Sequence, residues 1–277
     1  MQEHRLPPLV VQGHAMTDTG RVRPHNEDCV YLDERLRYAV LADGMGGANA
    51  GEVASALAVD CFRAALEELS DADFASRKTV LDTLHHAIED AHAQILDQAR
   101  ENPACAGMGA TVVAAAIVNQ HLLFVHAGDS RLYRFRNGKL EQLTRDHSLV
   151  QQQFELGLIR SEERRTSPQK HIITHALGVD LGSDIAWDET ELQAGDQILL
   201  CSDGLTDMLD DDGIATLLAT GETSLSEKTE TLVAQANANG GRDNISVVLL
   251  RISHDTGTDE LSFFQRQWQK LIQKSKR

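Results

Sequence analysis

The longest uninterrupted apolar run in this 277-residue chain is Val112 to Val118, far short of the roughly 20 residues a membrane-spanning helix needs. Cysteine is scarce: Cys29, Cys61, Cys105 and Cys201 are the only four, and none stands at Cys-x-x-Cys spacing. A disulfide framework and a cysteine-based zinc site are therefore not expected, and reduced, buried thiols in a cytoplasmic protein are. Proline is also rare, and Pro7 and Pro8 interrupt the only apolar stretch at the N-terminus, so no signal-peptide core is expected there. Positive charge is in short supply. Against 42 acidic residues stand 26 Lys and Arg, for a net charge of −16, the opposite of what a nucleic-acid backbone recruits. What is plentiful is apolar residues, 42% of the chain, enough for a sizeable core in one β-rich domain.

Aspartates recur where an apolar, strand-like run gives way to glycine or another small residue. Asp43 follows Tyr38–Ala42 and precedes Gly44-Met45-Gly46-Gly47. Asp129 follows the run Leu122 to Gly128, Asp203 follows Ile198 to Ser202, and Asp243 stands just before the run Ile245 to Ile252. An ionised carboxylate at the end of a buried strand is expensive unless it is paired or bound to a metal. Several converging there repel one another unless cations lie between them. The pattern points to a carboxylate-lined metal site, with all-oxygen ligands that favour Mn²⁺ or Mg²⁺.

Strand-like runs are Tyr38–Ala42, Thr111–Val118, His121–Val125, Arg131–Phe135, Ile198–Cys201 and Ile245–Ile252. Asn119-Gln120 and Asn137-Gly138 read as hairpin turns and imply antiparallel pairing. Helical spacing of apolar residues appears from Ala54 to Leu69 and from Leu81 to Ile95, with shorter helices around Ile214–Ala219 and Thr229–Ala238. Asp210-Asp211-Asp212 reads as an N-cap region. Helices grouped between clusters of paired strands indicate an α+β layered fold. The polar segment 146–181 reads as a flap inserted beside the site, and no internal repeat is present.

The ordered series Thr17-Asp18-Thr19-Gly20, Arg23-x-x-Asn26-Glu27-Asp28, Asp43-Gly44-Met45-Gly46-Gly47, Gly109-Ala110-Thr111, Gly128-Asp129-Ser130-Arg131, Ser202-Asp203-Gly204 and Asp243-Asn244-Ile245-Ser246 resembles the metal-dependent serine/threonine protein phosphatases of type 2C in their compact bacterial form. The resemblance runs from about Thr17 to Ile252. It implies a four-layer α-β-β-α sandwich with two central, mainly antiparallel sheets, and hydrolysis of phosphoserine and phosphothreonine in proteins by a water or hydroxide held between two Mn²⁺ or Mg²⁺ ions. By the same resemblance Asp43 bridges the two metals, the carbonyl of Gly44 binds one, and Asp203 and Asp243 bind the other. For Asp129 the resemblance implies a third, weaker ion shared with Asp203, and a structural turn role, bonding nearby amides, is the alternative reading. Glu27 and Asp28 orient metal-bound water, and Arg23 clamps the phosphate, its fork matching two phosphate oxygens. Catalysis is thereby expected of Arg23, Asp28 and Asp43. Many animal members carry histidine where this chain has Met45 and bacterial relatives carry methionine, which leaves the general acid unassigned.

Two other functions compete. A catalytically inactive phosphoprotein-binding relative is expected to have lost a metal carboxylate, and all are present. A two-metal nuclease or phosphodiesterase needs a basic groove that the charge does not supply. The expected partners are phosphorylated proteins, including a Ser/Thr kinase and its substrates, with no nucleic acid, for a cytoplasmic monomer. Residues 1–254 are expected to form the catalytic domain, and 255–277 a linker and an amphipathic basic helix with Leu261, Phe264, Trp268, Leu271 and Ile272 on one face. That helix is read as packing on its own domain, docking a partner, or lying on an anionic membrane surface.

Overall fold

Runs such as Tyr38 to Ala42 are apolar at every position because both faces of their sheet are covered. Tyr38, Val40 and Ala42 pack against helices on one side, while Ala39 and Leu41 face a second sheet on the other. The computed structural model describes residues 9–46, 50–182, 185–221 and 223–254. The chain starts with β1 (Leu9–Asp18), β2 (Asp28–Leu32), β3 (Tyr38–Met45), α1 (Ala50–Glu67), α2 (Asp71–Phe74) and α3 (Arg77–Glu101). It continues through β4 (Gly109–Val118), β5 (His121–Ala127), β6 (Arg131–Arg136), β7 (Lys139–Gln142), α4 (Leu149–Glu155) and α5 (Ser161–Thr166). It closes with β8 (Ala186–Glu191), β9 (Gln197–Cys201), α6 (Asp203–Thr206), α7 (Asp211–Leu218), α8 (Leu225–Ala238) and β10 (Ile245–His254).

Two five-stranded sheets result, ordered β1-β10-β9-β6-β7 and β2-β3-β4-β5-β8, with antiparallel pairing throughout the described strands. Leu41, Val113, Phe124, Leu132, Leu200 and Val248 fill the space between the sheets. The outer face of the second sheet is covered by α1 and α3 through Phe62, Leu66, Leu84 and Ile88. On the other side, Leu218, Leu232 and Val233 of α7 and α8 cover the first. The architecture is the expected α-β-β-α sandwich. Truncating a fully buried side chain such as Ile88 to alanine costs about 2–5 kcal/mol.

The hairpin turns are where expected, with Asn119 and Asn137 in the left-handed region at φ +56° and +52°. Asp210 caps α7 by accepting from Gly213 N at 2.8 Å. The segment 146–181 holds the short helices α4 and α5, with Ser148 capping the first. Its returning limb is fastened to β4 by the reciprocal pair Ala110 N to Leu177 O and Leu177 N to Ala110 O, at 3.1 and 2.9 Å. The basic helix expected near the C-terminus lies outside the described residues.

Candidate metal and phosphate site

The sheet register brings the acidic residues to one end of the sandwich. Asp28 on β2 is the ladder partner of Asp43 on β3, and Asp43 pairs in turn with Thr111 on β4. Asp129 follows β5, Asp203 opens α6 directly after β9, and Asp243 stands just before β10. Arg23, Glu27, Asp43, Gly44, Met45, Thr111, Asp129, Asp203 and Asp243 thus line one cavity of about 470 Å³. Gly44 is required by close approach: a Cβ there would lie 2.0 Å from Gly51 O, at the start of α1.

Three side chains within familiar motifs hold the loops together, and their spacing alone gives no hint of it. Asn244 accepts from Glu27 N through Oδ1 at 2.8 Å and donates through Nδ2 to Thr19 O and His25 O at 2.9 Å each, tying the β1–β2 loop to the Asp243 segment. Ser202 donates to Asp28 Oδ2 at 2.8 Å and accepts from Ser246 N at 3.0 Å. The Ser246 hydroxyl meets Thr17 Oγ1 at 2.7 Å.

Electrostatically the cavity is strained in a way that a cation relieves. Burial, then the charges of Asp28, Asp203, Asp129 and Asp243, holds the Asp43 carboxyl well above the usual carboxylate range. Asp203 is raised likewise, by burial and then by Asp129 and Asp243. Burial pushes Asp28 up to about 6, and burial together with Asp146 pushes Asp129 up to about 7. Asp28 Oδ1 and Asp203 Oδ1 are buried without a hydrogen-bond partner. Mutually repelling carboxylates with unpartnered oxygens fit hard divalent cations.

The candidate ligands do not all close onto one point. Asp243 is drawn to Arg23 Nη2 at 2.6 Å. Among the described residues, the three donors that come within 4.8 Å of one another are on His171, Asp203 and Asp207, where Lys170 Nζ also meets Asp207 Oδ2 at 2.7 Å. These flap-side groups connect the cavity to a second cleft of about 320 Å³, between the flap and the start of α7. A cysteine-based mechanism has no seat here. Cys29 and Arg35 stand at Cys-x5-Arg spacing, but Cys29 is laddered to Ala42 and Arg35 Nη1 bonds Asp71 Oδ1 at 3.0 Å. Burial raises the Cys29 thiol further.

The family model described as Protein phosphatase 2C matches residues 25–243. The serine/threonine phosphatase stp of Listeria welshimeri is 37% identical over 237 residues, covering 84% of this chain and 93% of that protein. The crystal structure of the Mycobacterium tuberculosis serine/threonine phosphatase PstP/Ppp superposes with a TM-score of 0.80 at 36% identity, covering 88% of this chain and 99% of that one. The catalytic domain of PstP in complex with two manganese ions gives a TM-score of 0.78 at 36% identity, over 88% of this chain and 99% of that one.

Proposed function

The chain belongs to the protein phosphatase 2C family and is a metal-dependent protein serine/threonine phosphatase; we propose that Asp43, Gly44, Asp203 and Asp243 hold two Mn²⁺ or Mg²⁺ ions at the sheet ends. When bound, such ions polarise the phosphoryl group and make water nucleophilic near neutral pH. The observation that carries the reading is the set of carboxylates from separate strand ends lining one cavity, with buried, unpartnered oxygens on Asp28 and Asp203. Asp28, fixed by the Ser202 hydroxyl, orients water beside Asp43 across the β2–β3 ladder. Glu27 acts beside it, its carboxylate lying at the Gly51 end of α1. Arg23 stands at the mouth and spends one donor on Asp243. Swinging that guanidinium onto two phosphate oxygens aligns phosphorus for in-line attack. Met45 lines the cavity and has no proton to give, so the proton for the leaving alkoxide comes from another group or from water.

Asp129 serves a third, weaker ion with Asp203, a role its elevated carboxyl suits. The catalytic domain spans 1–254 with the flap 146–181, and 255–277 is an appendage. The enzyme opposes Ser/Thr kinases in the cytoplasm, a setting that suits its four free cysteines. The test is a Mn²⁺-supported assay on p-nitrophenyl phosphate, a phosphothreonine peptide and a cyclic dinucleotide. Hydrolysis of the first two alone is expected. Turnover of the cyclic dinucleotide, or of none, overturns the assignment.

A further inference from the structure

Asp129 sits on a turn whose preceding residue, Gly128, adopts φ +107°, and a Cβ added there would lie 2.4 Å from Thr111 Cβ. Such a turn keeps one shape when its backbone polar groups are tied down. His147, at the root of the flap, ties both groups of Gly128. Its N–H donates to Gly128 O at 2.9 Å, and its Nδ1 accepts from Gly128 N at 3.3 Å. On one side, Asp146 takes Arg131 in a two-point grip, Nε to Oδ1 at 2.8 Å and Nη2 to Oδ2 at 2.6 Å. On the other, His147 O accepts from Thr174 N at 2.8 Å, in the flap's returning limb.

The His147 ring is stacked on His126 at 4.7 Å between centroids and meets His175 edge-on at 5.0 Å. Because Gly128 N can only donate, His147 Nδ1 carries no proton and the ring is the neutral Nε2–H tautomer. Burial, then His126, His175 and Arg145, holds that imidazole down to about 3, which keeps it neutral.

We propose that His147 is a positioning residue for Asp129: it clamps Gly128 from both sides and, through Thr174, makes the aim of the Asp129 carboxylate depend on where the flap is seated. The proposal rests on the reading of Asp129 as a ligand of the weaker ion. It gives the flap the task of setting the affinity of that ion.

The test is calorimetric Mn²⁺ titration of the full-length protein and of four variants. His147→Phe keeps a flat ring in the stack and deletes the acceptor. His147→Asn places an amide oxygen near the position of Nδ1. His175→Leu removes a neighbouring ring that has no bond to Gly128, and Asp129→Asn removes the ligand. His147→Phe and Asp129→Asn are both expected to weaken the weakest Mn²⁺ step, the former by roughly five- to tenfold for one lost hydrogen bond, with the tighter steps unchanged. His147→Asn should recover most of that loss, and His175→Leu should match the parent. If Asp129→Asn weakens the step and His147→Phe does not, the clamp is wrong and the Asp129 reading stands. Should Asp129→Asn leave every step intact, the Asp129 reading falls and the proposal with it. Equal weakening of all steps in His147→Phe, or no recovery in His147→Asn, assigns His147 to the fold alone and also overturns the proposal.

Discussion

Removing the cations should cost this protein stability in a way that grows with pH. Asp28 rises from 3.8 to about 6 and Asp129 from 3.8 to about 7 in the fold, with Asp43 and Asp203 raised as well, all led by burial. A carboxyl whose folded pKa exceeds its unfolded one binds more protons in the native state, so stability falls as pH rises between the two values. At about 1.4 kcal/mol per unit, ionising Asp28 inside the fold costs on the order of 3 kcal/mol above pH 8, and ionising Asp129 on the order of 4 kcal/mol. The buried histidines act in the opposite sense. His147, held down to about 3, and His126, also lowered by burial, are neutral in the fold, and the unfolded chain takes up their protons below about pH 6.5. Their contribution is therefore lost as pH falls. The gap between melting temperatures in Mn²⁺ and in EDTA cancels the histidines and isolates the carboxylates. At about 2–4 °C per kcal/mol, that gap should be on the order of 20 °C near pH 8 and shrink to roughly half of that near pH 5. Thermal melts followed by circular dichroism at both ends and near pH 6.5 read it directly. A Mn²⁺-induced shift that is constant with pH, or largest near pH 5, refutes the reasoning.

Asp43→Asn, Asp203→Asn and Asp243→Asn should each lower kcat by at least about a hundredfold, because positioned charge at the reacting centre is lost; near-parental turnover in the Asp203 variant would remove it from the site. Arg23→Ala should act chiefly through KM for a phosphopeptide, by roughly 1.5–3 kcal/mol for a charge-assisted contact, and an unchanged KM would require another phosphate clamp. Replacing Arg160, Arg164 and Arg165 together by alanine should alter phosphopeptide kinetics and spare p-nitrophenyl phosphate. Arg165 Nη1 also reaches Leu209 O at 3.3 Å and Arg164 Nη1 reaches Gln151 Oε1 at 2.5 Å, so equal loss on both substrates would show that these arginines seat the flap instead.

The strands legible in the sequence are the inner strands of each sheet, and they share a cause. β3, β4, β5, β9 and β10 are buried on both faces over most of their length and so read as predominantly apolar runs, while β6, half-buried, is marked by its Asn-Gly turn. The four strands that periodicity misses, β1, β2, β7 and β8, are the four sheet edges. Edge strands carry polar and charged residues, as Lys139 and Glu141 of β7 or Asp188 and Glu189 of β8 do, which blunts pairing with other chains. The cluster of carboxylates in one cavity was legible for a related reason. A carboxylate ending an apolar run violates a strong local rule, and such violations cluster where function is. Asn244, Ser202 and His147 violate nothing locally. Their importance comes from partners 219, 174 and 19 positions away in the chain, which no local pattern reveals.

The most direct test of the central claim is release of inorganic phosphate from a phosphothreonine peptide by the purified full-length protein, with Mn²⁺ and with EDTA, beside the Asp243→Asn variant. Phosphate should appear with Mn²⁺, stop on chelation, resume on restoring Mn²⁺ in excess, and be nearly absent in the variant. Release that ignores the chelator, or none with either Mn²⁺ or Mg²⁺, would contradict a metal-dependent protein phosphatase.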